Sequence, residues 1–424
     1  MDKFVIEGGK ILNGSITASG AKNSVLPILA ASIMTDSKSV IHGVPKLQDV
    51  YTMVKILEYL GAKVVFKNNT IEIDPSTIAR YDAPYEFVKT MRASISLLGP
   101  MVARAGKARF SLPGGCVIGP RPIDLHIKGL QKLGVDIKIE DGFIVADAKN
   151  GLKGNYIFLA GAFGSSVLAT ANVMCVAALS KGETVIEFAA CEPEITDLAN
   201  FLVKMGAKIT GIGSPCIIIN GVKKLKGVEH KIIPDRIETG TFLLAGAITG
   251  GKVTVEKCQP MHLGAFIERL TETGVQVKSG KNYITVSGIP RWKPVDVVTF
   301  AYPGFPTDLQ AQMMAFLSLA DGVSVITEKV FPERFIHAGE LNRLGANIQL
   351  DGSKAIVKGV EKLLGAKVMA SDLRASAALV LAGLVAEGRT EVSRIYHLFR
   401  GYEKFEEKLR ALGASIKREK DTLQ

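Results

Sequence analysis

The stretch Leu60-Gly61-Ala62-Lys63-Val64 recurs in altered form five more times along the chain. Its copies are Leu133-Gly134-Val135-Asp136-Ile137, Met205-Gly206-Ala207-Lys208-Ile209, Thr273-Gly274-Val275-Gln276-Val277, Leu344-Gly345-Ala346-Asn347-Ile348 and Leu412-Gly413-Ala414-Ser415-Ile416. Successive glycines are 73, 72, 68, 71 and 68 residues apart. So regular an interval marks one structural unit used six times.

The neighbourhood of each glycine reads the same way. An amphipathic helix, as at 49–59 or 402–411, runs into the glycine, which suits the left-handed position that closes a helix. A β-branched strand leaves it, as in Val64-Val65-Phe66, Ile209-Thr210-Gly211 and Ile348-Gln349-Leu350. Upstream lies a segment apolar nearly all round, at 26–34, 93–102, 167–179, 241–248, 312–319 and 375–386, which predicts a buried helix. A turn and a further strand follow, as in Lys181-Gly182-Glu183-Thr184-Val185-Ile186-Glu187. Each unit is therefore read as strand–helix–strand–helix–strand, about 70 residues long. Three units around their buried helices make one domain, and six make two. The predicted fold is α/β (α+β), with one domain at 22–233 and another from 1–21 and 234–424. The opening strand Phe4-Val5-Ile6 is expected to pair with the last unit, so that the chain crosses between domains near Ala21 and Ile233.

Composition agrees with a folded two-domain protein. The chain has 424 residues, 47% hydrophobic and 22% charged. Its formal charge of +11 points to an anionic partner: a nucleic acid, a lipid surface or a small polyanion. Met1-Asp2-Lys3-Phe4-Val5-Ile6-Glu7-Gly8-Gly9 has no apolar signal core, and the longest apolar run, 375–386, is too short to span a membrane. Cys116, Cys175, Cys191, Cys216 and Cys258 are odd in number and widely spaced, which indicates neither a disulfide framework nor a zinc site and fits a reducing cytoplasm.

The residues that open the six buried helices are unusual for a core. They are Ser19-Gly20-Ala21-Lys22-Asn23, Lys89-Thr90-Met91-Arg92-Ala93-Ser94, Phe163-Gly164-Ser165-Ser166, Pro234-Asp235-Arg236-Ile237-Glu238-Thr239, Phe305-Pro306-Thr307-Asp308 and Ser371-Asp372-Leu373-Arg374-Ala375-Ser376. Parallel buried helices bring these starts to one end of each domain, where unpaired N–H groups and dipole ends favour anions. With Lys22, Arg92 and Arg374 on its floor, the expected cleft between the domains binds anions. Ordinary capping accounts for the Ser, Asp and Thr residues, but not for the arginines.

Three loops add to this. Leu112-Pro113-Gly114-Gly115-Cys116-Val117-Ile118-Gly119-Pro120-Arg121-Pro122 presents a cysteine beside an arginine that favours a thiolate or holds an anion. Phe331-Pro332-Glu333-Arg334-Phe335 and Arg394-Ile395-Tyr396-His397-Leu398-Phe399-Arg400-Gly401 place arginines at matching points of the repeat. Gly20-Ala21-Lys22-Asn23-Ser24 lacks the spacing of a nucleoside-triphosphate loop, and there is neither HExxH nor a dinucleotide fingerprint. His126 and His397 neighbour these loops and orient substrate or serve structure.

With these motifs the sequence resembles the enolpyruvyl transferases, and within them the branch acting on UDP-N-acetylglucosamine. The resemblance runs from Met1 to about Lys417 and is carried by SGAKNS, KTMRAS, LPGGCVIGPRPIDLH, PDRIETGTF, FPTDLQAQ, SDLRAS and RIYHLFRGYE. It implies two inside-out α/β barrel-like domains with the active site in the cleft between them. It also implies transfer of the enolpyruvyl group of phosphoenolpyruvate to the sugar 3-hydroxyl, through a tetrahedral intermediate, in peptidoglycan synthesis. Asp308 then matches the base and Cys116 the family cysteine, which protonates the methylene carbon or aids product release and which the epoxide fosfomycin would alkylate. Lys22, Arg121 and Arg400 match positions near the phosphate, Arg334 and Arg374 those near the carboxylate or developing charge. Lys22, Asp308, Cys116 and Arg400 form the catalytic set. Asn23, Arg92, Asp308 and Val330 match contacts to the sugar nucleotide, and Pro122, Asp124, Phe163, Gly164 and Ser165 complete the substrate-binding set. No metal, cofactor, nucleic acid or membrane insertion is expected, and the chain is expected to be a monomer or weak homo-oligomer.

One segment departs from the family. Where a lysine and a Ser-Val-Gly run are usual, this chain has Leu159-Ala160-Gly161-Ala162-Phe163-Gly164-Ser165-Ser166, without lysine. Phosphate contacts there are left to backbone N–H groups and serine hydroxyls. Two alternatives stand beside this reading. One is 3-phosphoshikimate 1-carboxyvinyl transfer, against which the LPGGC loop speaks; the other is a basic nucleic-acid-binding protein, against which the 7% aromatic content speaks.

Overall fold

All six signature glycines are left-handed, with φ of 108° at Gly61, 91° at Gly134, 110° at Gly206, 94° at Gly274, 91° at Gly345 and 105° at Gly413. A side chain at those angles would meet its own backbone, and at Gly61 a Cβ would also sit 2.7 Å from the Thr77 carbonyl oxygen, so backbone stereochemistry keeps the repeat. A computed structural model gives this architecture and describes residues 2–83, 85–88, 91–112 and 123–421, with the side chains of Phe87 and Arg92 excepted.

The chain forms two compact units, one from described residues between 20 and 233, the other from 2–19 with 234–421. Each has its own apolar core. The first draws on residues from Ala21 to Ile232, the second on residues from Phe4 to Ile416. In the first, Lys22–Ala31, Leu98–Ala105 and Val167–Leu179 lie at the centre. In the second, Arg236–Ile248, Gln310–Leu317 and Leu373–Val385 do, each packed against the other two. The sequences are rich in Ala, Leu and Val with no polar stripe, so burial on all sides is their only stable setting.

Six four-stranded sheets surround these helices among the described residues. In the first, Glu229–Lys231 runs parallel to Ser39–His42, which pairs antiparallel with Thr70–Asp74, and that with Lys63–Lys67. A unit thus has one strand more than the sequence reading gave it, because the strand after the glycine folds back as a hairpin. The turns carry the signal. Asn68 and Asn69 have φ of 49° and 56°, and Asp141-Gly142 has 51° and 78°, the left-handed pairs that two-residue hairpins need.

The N-terminal segment closes the second unit. Asp2–Glu7 lies between Arg389–Ser393 and Ser415–Lys420, with Phe4 opposite both Val392 and Arg418. It stands where the other units place the return strand of their hairpin. Asn13–Thr17 then runs parallel to Lys252–Glu256 in the fourth sheet.

Two predicted helices differ from expectation. The continuous helix at 93–102 is instead a 3-10 turn, Arg92–Leu97, followed by the α-helix Leu98–Ala105. Asn172 is the cause. Its Oδ1 accepts the Gly99 N–H at 2.8 Å and its Nδ2 donates to the Ile95 carbonyl at 3.0 Å, so its amide replaces the bond those two groups would make in an α-helix. Only glycine fits at 99, since a Cβ there would sit 2.7 Å from the Asn172 Cα. The helix expected at 402–411 starts at Phe405, because Lys404 before it is left-handed at φ 52°. No helix of the described residues is long and apolar enough to cross a membrane.

Candidate active site

In the second unit, two of the three buried helices start with an aspartate cap. Asp235 Oδ1 accepts the N–H groups of Ile237 and Glu238 at 2.8 and 2.9 Å, and Asp372 Oδ1 accepts those of Arg374 and Ala375 at 2.8 and 3.1 Å. The third start differs. There the 3-10 turn Thr307–Leu309 leads into Gln310–Leu317 without a side-chain cap, and the Asp308 carboxylate turns to two arginines.

Asp308 Oδ1 accepts from Arg334 Nη1 at 2.8 Å, and Oδ2 from Arg374 Nη2 at 2.8 Å. The arginine side chains are 6% and 3% exposed, the aspartate 25%. Burial by itself would raise the acid's pKa, but the guanidiniums of Arg374 and Arg334 outweigh it and hold the carboxyl well below its usual range. Asp308 is therefore ionised at neutral pH and open on one side. Arg374 Nη1 is fully buried and makes no hydrogen bond of ordinary geometry among the described residues.

The surroundings fix these groups. The Arg374 guanidinium lies 5.5 Å from the centre of the Tyr402 ring, and that of Arg334 5.8 Å from the Phe331 ring. Gln312 Nε2 donates to the Asp308 carbonyl at 3.0 Å and to the Tyr402 hydroxyl at 3.1 Å. His337 is buried near Asp372 and Arg334, and burial pushes its pKa down to about 4, so it is neutral at pH 7. His397 is lowered by burial and then by Arg400, the last residue of the 3-10 helix Ile395–Arg400.

Val330 follows the buried Glu328, whose Oε1 accepts the N–H groups of Val330 and Phe331, each at 2.9 Å. Of the residues expected from sequence, Asp308, Arg334 and Arg374 are thus in direct contact. Val330 and Arg400 belong to the same unit.

The first unit holds the others. Lys22 opens its helix, and its Nζ is 2.8 Å from Asp49 Oδ2, both side chains nearly buried. Asn23 follows, half-buried, and the Ser24 hydroxyl donates to Asp197, which also accepts from Ile233 N at 3.3 Å and faces His230 Nε2 at 2.9 Å. Asp124 is exposed at the first turn of Asp124–Lys132. The segment without lysine is a tight hairpin: Ala160 pairs with Ser165 and Gly161 with Gly164, and Phe163 stands 58% exposed at its turn. Gly164 takes φ 98°, and Ser166 caps the helix Val167–Leu179 by accepting the Ala169 N–H at 3.4 Å. The hairpin sets where the serines lie. Cys116, Arg121, Pro122 and the Arg92 side chain lie outside the described residues. Cys175, in contrast, is a buried helix residue whose thiol burial pushes up to about 12.

Sequence reasoning missed Glu328, Asp49 and Asp197. Asp49 had a signal, an acidic residue in the first turn of Gln48–Leu60 yet only 2% exposed. Glu328 had none, since a glutamate after a strand is ordinarily solvated.

Comparison with known proteins bears on this arrangement. The description of the family EPSP synthase (3-phosphoshikimate 1-carboxyvinyltransferase) matches residues 6–409. The chain is 54% identical over 418 residues to a UDP-N-acetylglucosamine 1-carboxyvinyltransferase of Methylacidiphilum infernorum, covering 99% of each. It is 53% identical over 423 residues to UDP-N-acetylglucosamine 1-carboxyvinyltransferase 2 of Carboxydothermus hydrogenoformans, covering 99% of this chain and 100% of that one. Among solved structures, the enolpyruvyl transferase NikO from Streptomyces tendae is similar with a TM-score of 0.89 and 26% identity, over 98% of both chains.

Proposed function

The chain belongs to the EPSP synthase family of carboxyvinyl transferases, and on that premise we propose that it transfers the enolpyruvyl group of phosphoenolpyruvate to the 3-hydroxyl of UDP-N-acetylglucosamine. The observation that carries the choice of acceptor is the 54% identity, over 99% of both chains, to a transferase of that name. The product feeds peptidoglycan precursor synthesis in the cytoplasm.

Asp308 takes the hydroxyl proton as the sugar oxygen attacks the enol carbon, and Cys116 protonates the methylene carbon. The tetrahedral intermediate then loses a methyl proton and inorganic phosphate, which restores the double bond. Lys22, Arg121 and Arg400 hold the phosphate; Arg334 and Arg374 hold the carboxylate. Asn23, Arg92, Pro122, Asp124, Val330 and the Phe163-Gly164-Ser165 turn hold the sugar nucleotide. The geometry supports this in one respect especially. Two guanidiniums keep Asp308 ionised but weakly basic, and a substrate anion that shares them makes it a stronger base when the hydroxyl is present.

Phosphate release on mixing phosphoenolpyruvate with UDP-N-acetylglucosamine tests the proposal. Turnover with that acceptor is expected; turnover with shikimate 3-phosphate alone would overturn it.

A further inference from the structure

Glu328 is fully buried, and its carboxylate is saturated with donors from four residues. Oε1 accepts from the Thr299 hydroxyl at 2.6 Å and from the N–H groups of Val330 and Phe331 at 2.9 Å each. Oε2 accepts from the Thr307 hydroxyl at 2.9 Å. That last bond has a directional consequence. A threonine hydroxyl has one hydrogen, and here it is used on Glu328. The lone pairs of Thr307 Oγ1 therefore face outward, where one accepts from Arg334 Nη1 at 3.0 Å. The same Nη1 is 2.8 Å from Asp308 Oδ1. Arg334 Nη1 thus donates in two directions, to Thr307, which donates onward to Glu328, and to Asp308.

We propose that Glu328 is a positioning residue for Asp308: it polarises and orients Thr307 so that the hydroxyl accepts from Arg334 and fixes that guanidinium against the Asp308 carboxylate. The inference rests on the reading of Asp308 as the base. Glu328 touches no reacting atom in this scheme. Its second oxygen fixes the backbone at Val330 and Phe331, so one carboxylate serves both the base and the neighbouring loop.

The amide variant separates this role from mere packing. Three donors converge on Oε1, so Glu328→Gln must keep its carbonyl oxygen there and turn its NH2 to Thr307. Thr307 then accepts from glutamine as well as from Arg334, and its own hydrogen loses the carboxylate that held it. The loop is preserved while the charged acceptor that orients Thr307 is lost.

Glu328→Gln is expected to lower kcat on the order of ten- to a hundredfold, the range seen when a hydrogen-bond partner behind a functional group is lost. The KM for UDP-N-acetylglucosamine and the melting temperature should stay near those of the unaltered chain. Thr307→Val should lower kcat similarly, and the double variant should be little worse than either, because both cut one chain of bonds. Multiplying effects would overturn the relay. So would a Glu328→Gln enzyme with unchanged kcat, or one whose loss lies only in KM or thermal stability. Asp308→Asn is the control. If that variant turns over normally, the base assignment fails; if it is inactive while Glu328→Gln is fully active, only the role of Glu328 fails.

Discussion

Asp308 and Glu238 are both carboxylates within three residues of the start of a buried helix in the same unit, yet their proton affinities move in opposite directions. Glu238 is 1% exposed and meets one ammonium, Lys408 Nζ at 2.7 Å, with the Ser19 N–H at 2.6 Å. Burial outweighs Lys408 there, and the acid's pKa is raised. At Asp308, a second cation and the forked geometry of arginine reverse the balance. The number and kind of partners decide the sign, and burial alone does not. Glu238 ties Ser19 and Lys408 together and has no open side, whereas Asp308 keeps a quarter of its surface for a substrate. One is a fastening and the other a reagent.

The sharpest way to break this contrast is to neutralise each acid. Asp308→Asn is expected to cut phosphate release by about 10²–10⁴-fold, the usual worth of a general base, while Glu238→Gln leaves turnover near normal in the folded fraction. Equal losses would erase the distinction. A smaller effect should follow from Lys408→Met, which strands a buried carboxylate. Breaking such pairs costs about 3–5 kcal/mol, and the lower end is expected because the high proton affinity of Glu238 lets it neutralise itself. Urea unfolding measures this, and a loss under about 1 kcal/mol would mean that Lys408 is dispensable.

The subtlest test is the pH dependence of stability. The lowered Asp308 contributes stability that is complete above about pH 4, where the unfolded acid ionises, and is lost as pH falls through the folded value. The raised Glu238 contributes stability that is complete below about pH 4 and is lost as pH rises through its folded value. Unfolding midpoints should therefore show Asp308→Asn flattening the fall below about pH 4 and Glu238→Gln flattening the fall that begins above it. The same slope change in both variants would contradict the opposite signs.

Much of the fold was legible because a glycine required by backbone sterics leaves a mark that sequence drift cannot remove. Gly61 through Gly413 mark the ends of the six amphipathic helices, and the wholly apolar segments mark every central helix. The hairpin return strands were not read, although Asn68-Asn69 and Asp141-Gly142 announce their turns. The break between Arg92 and Ala105 was beyond reach, since it depends on Asn172, about 75 residues away in sequence. The same holds at the site. Charged residues at helix starts single out Asp308 and Arg374, and a loop of the repeat singles out Arg334, but that all three meet, and that Glu328 stands behind them, arises only when distant segments are packed.

The place of the strand Asp2–Glu7 also bears on how the chain is made. This segment leaves the ribosome well before the two strands that flank it, Arg389–Ser393 and Ser415–Lys420. The unit within residues 20–233 holds all of its own strands and can consolidate while synthesis continues. The other must carry the apolar Phe4, Val5 and Ile6 unpaired through most of translation. For that interval the segment is a sheet-forming strand without its partners, open to pairing with the wrong strand.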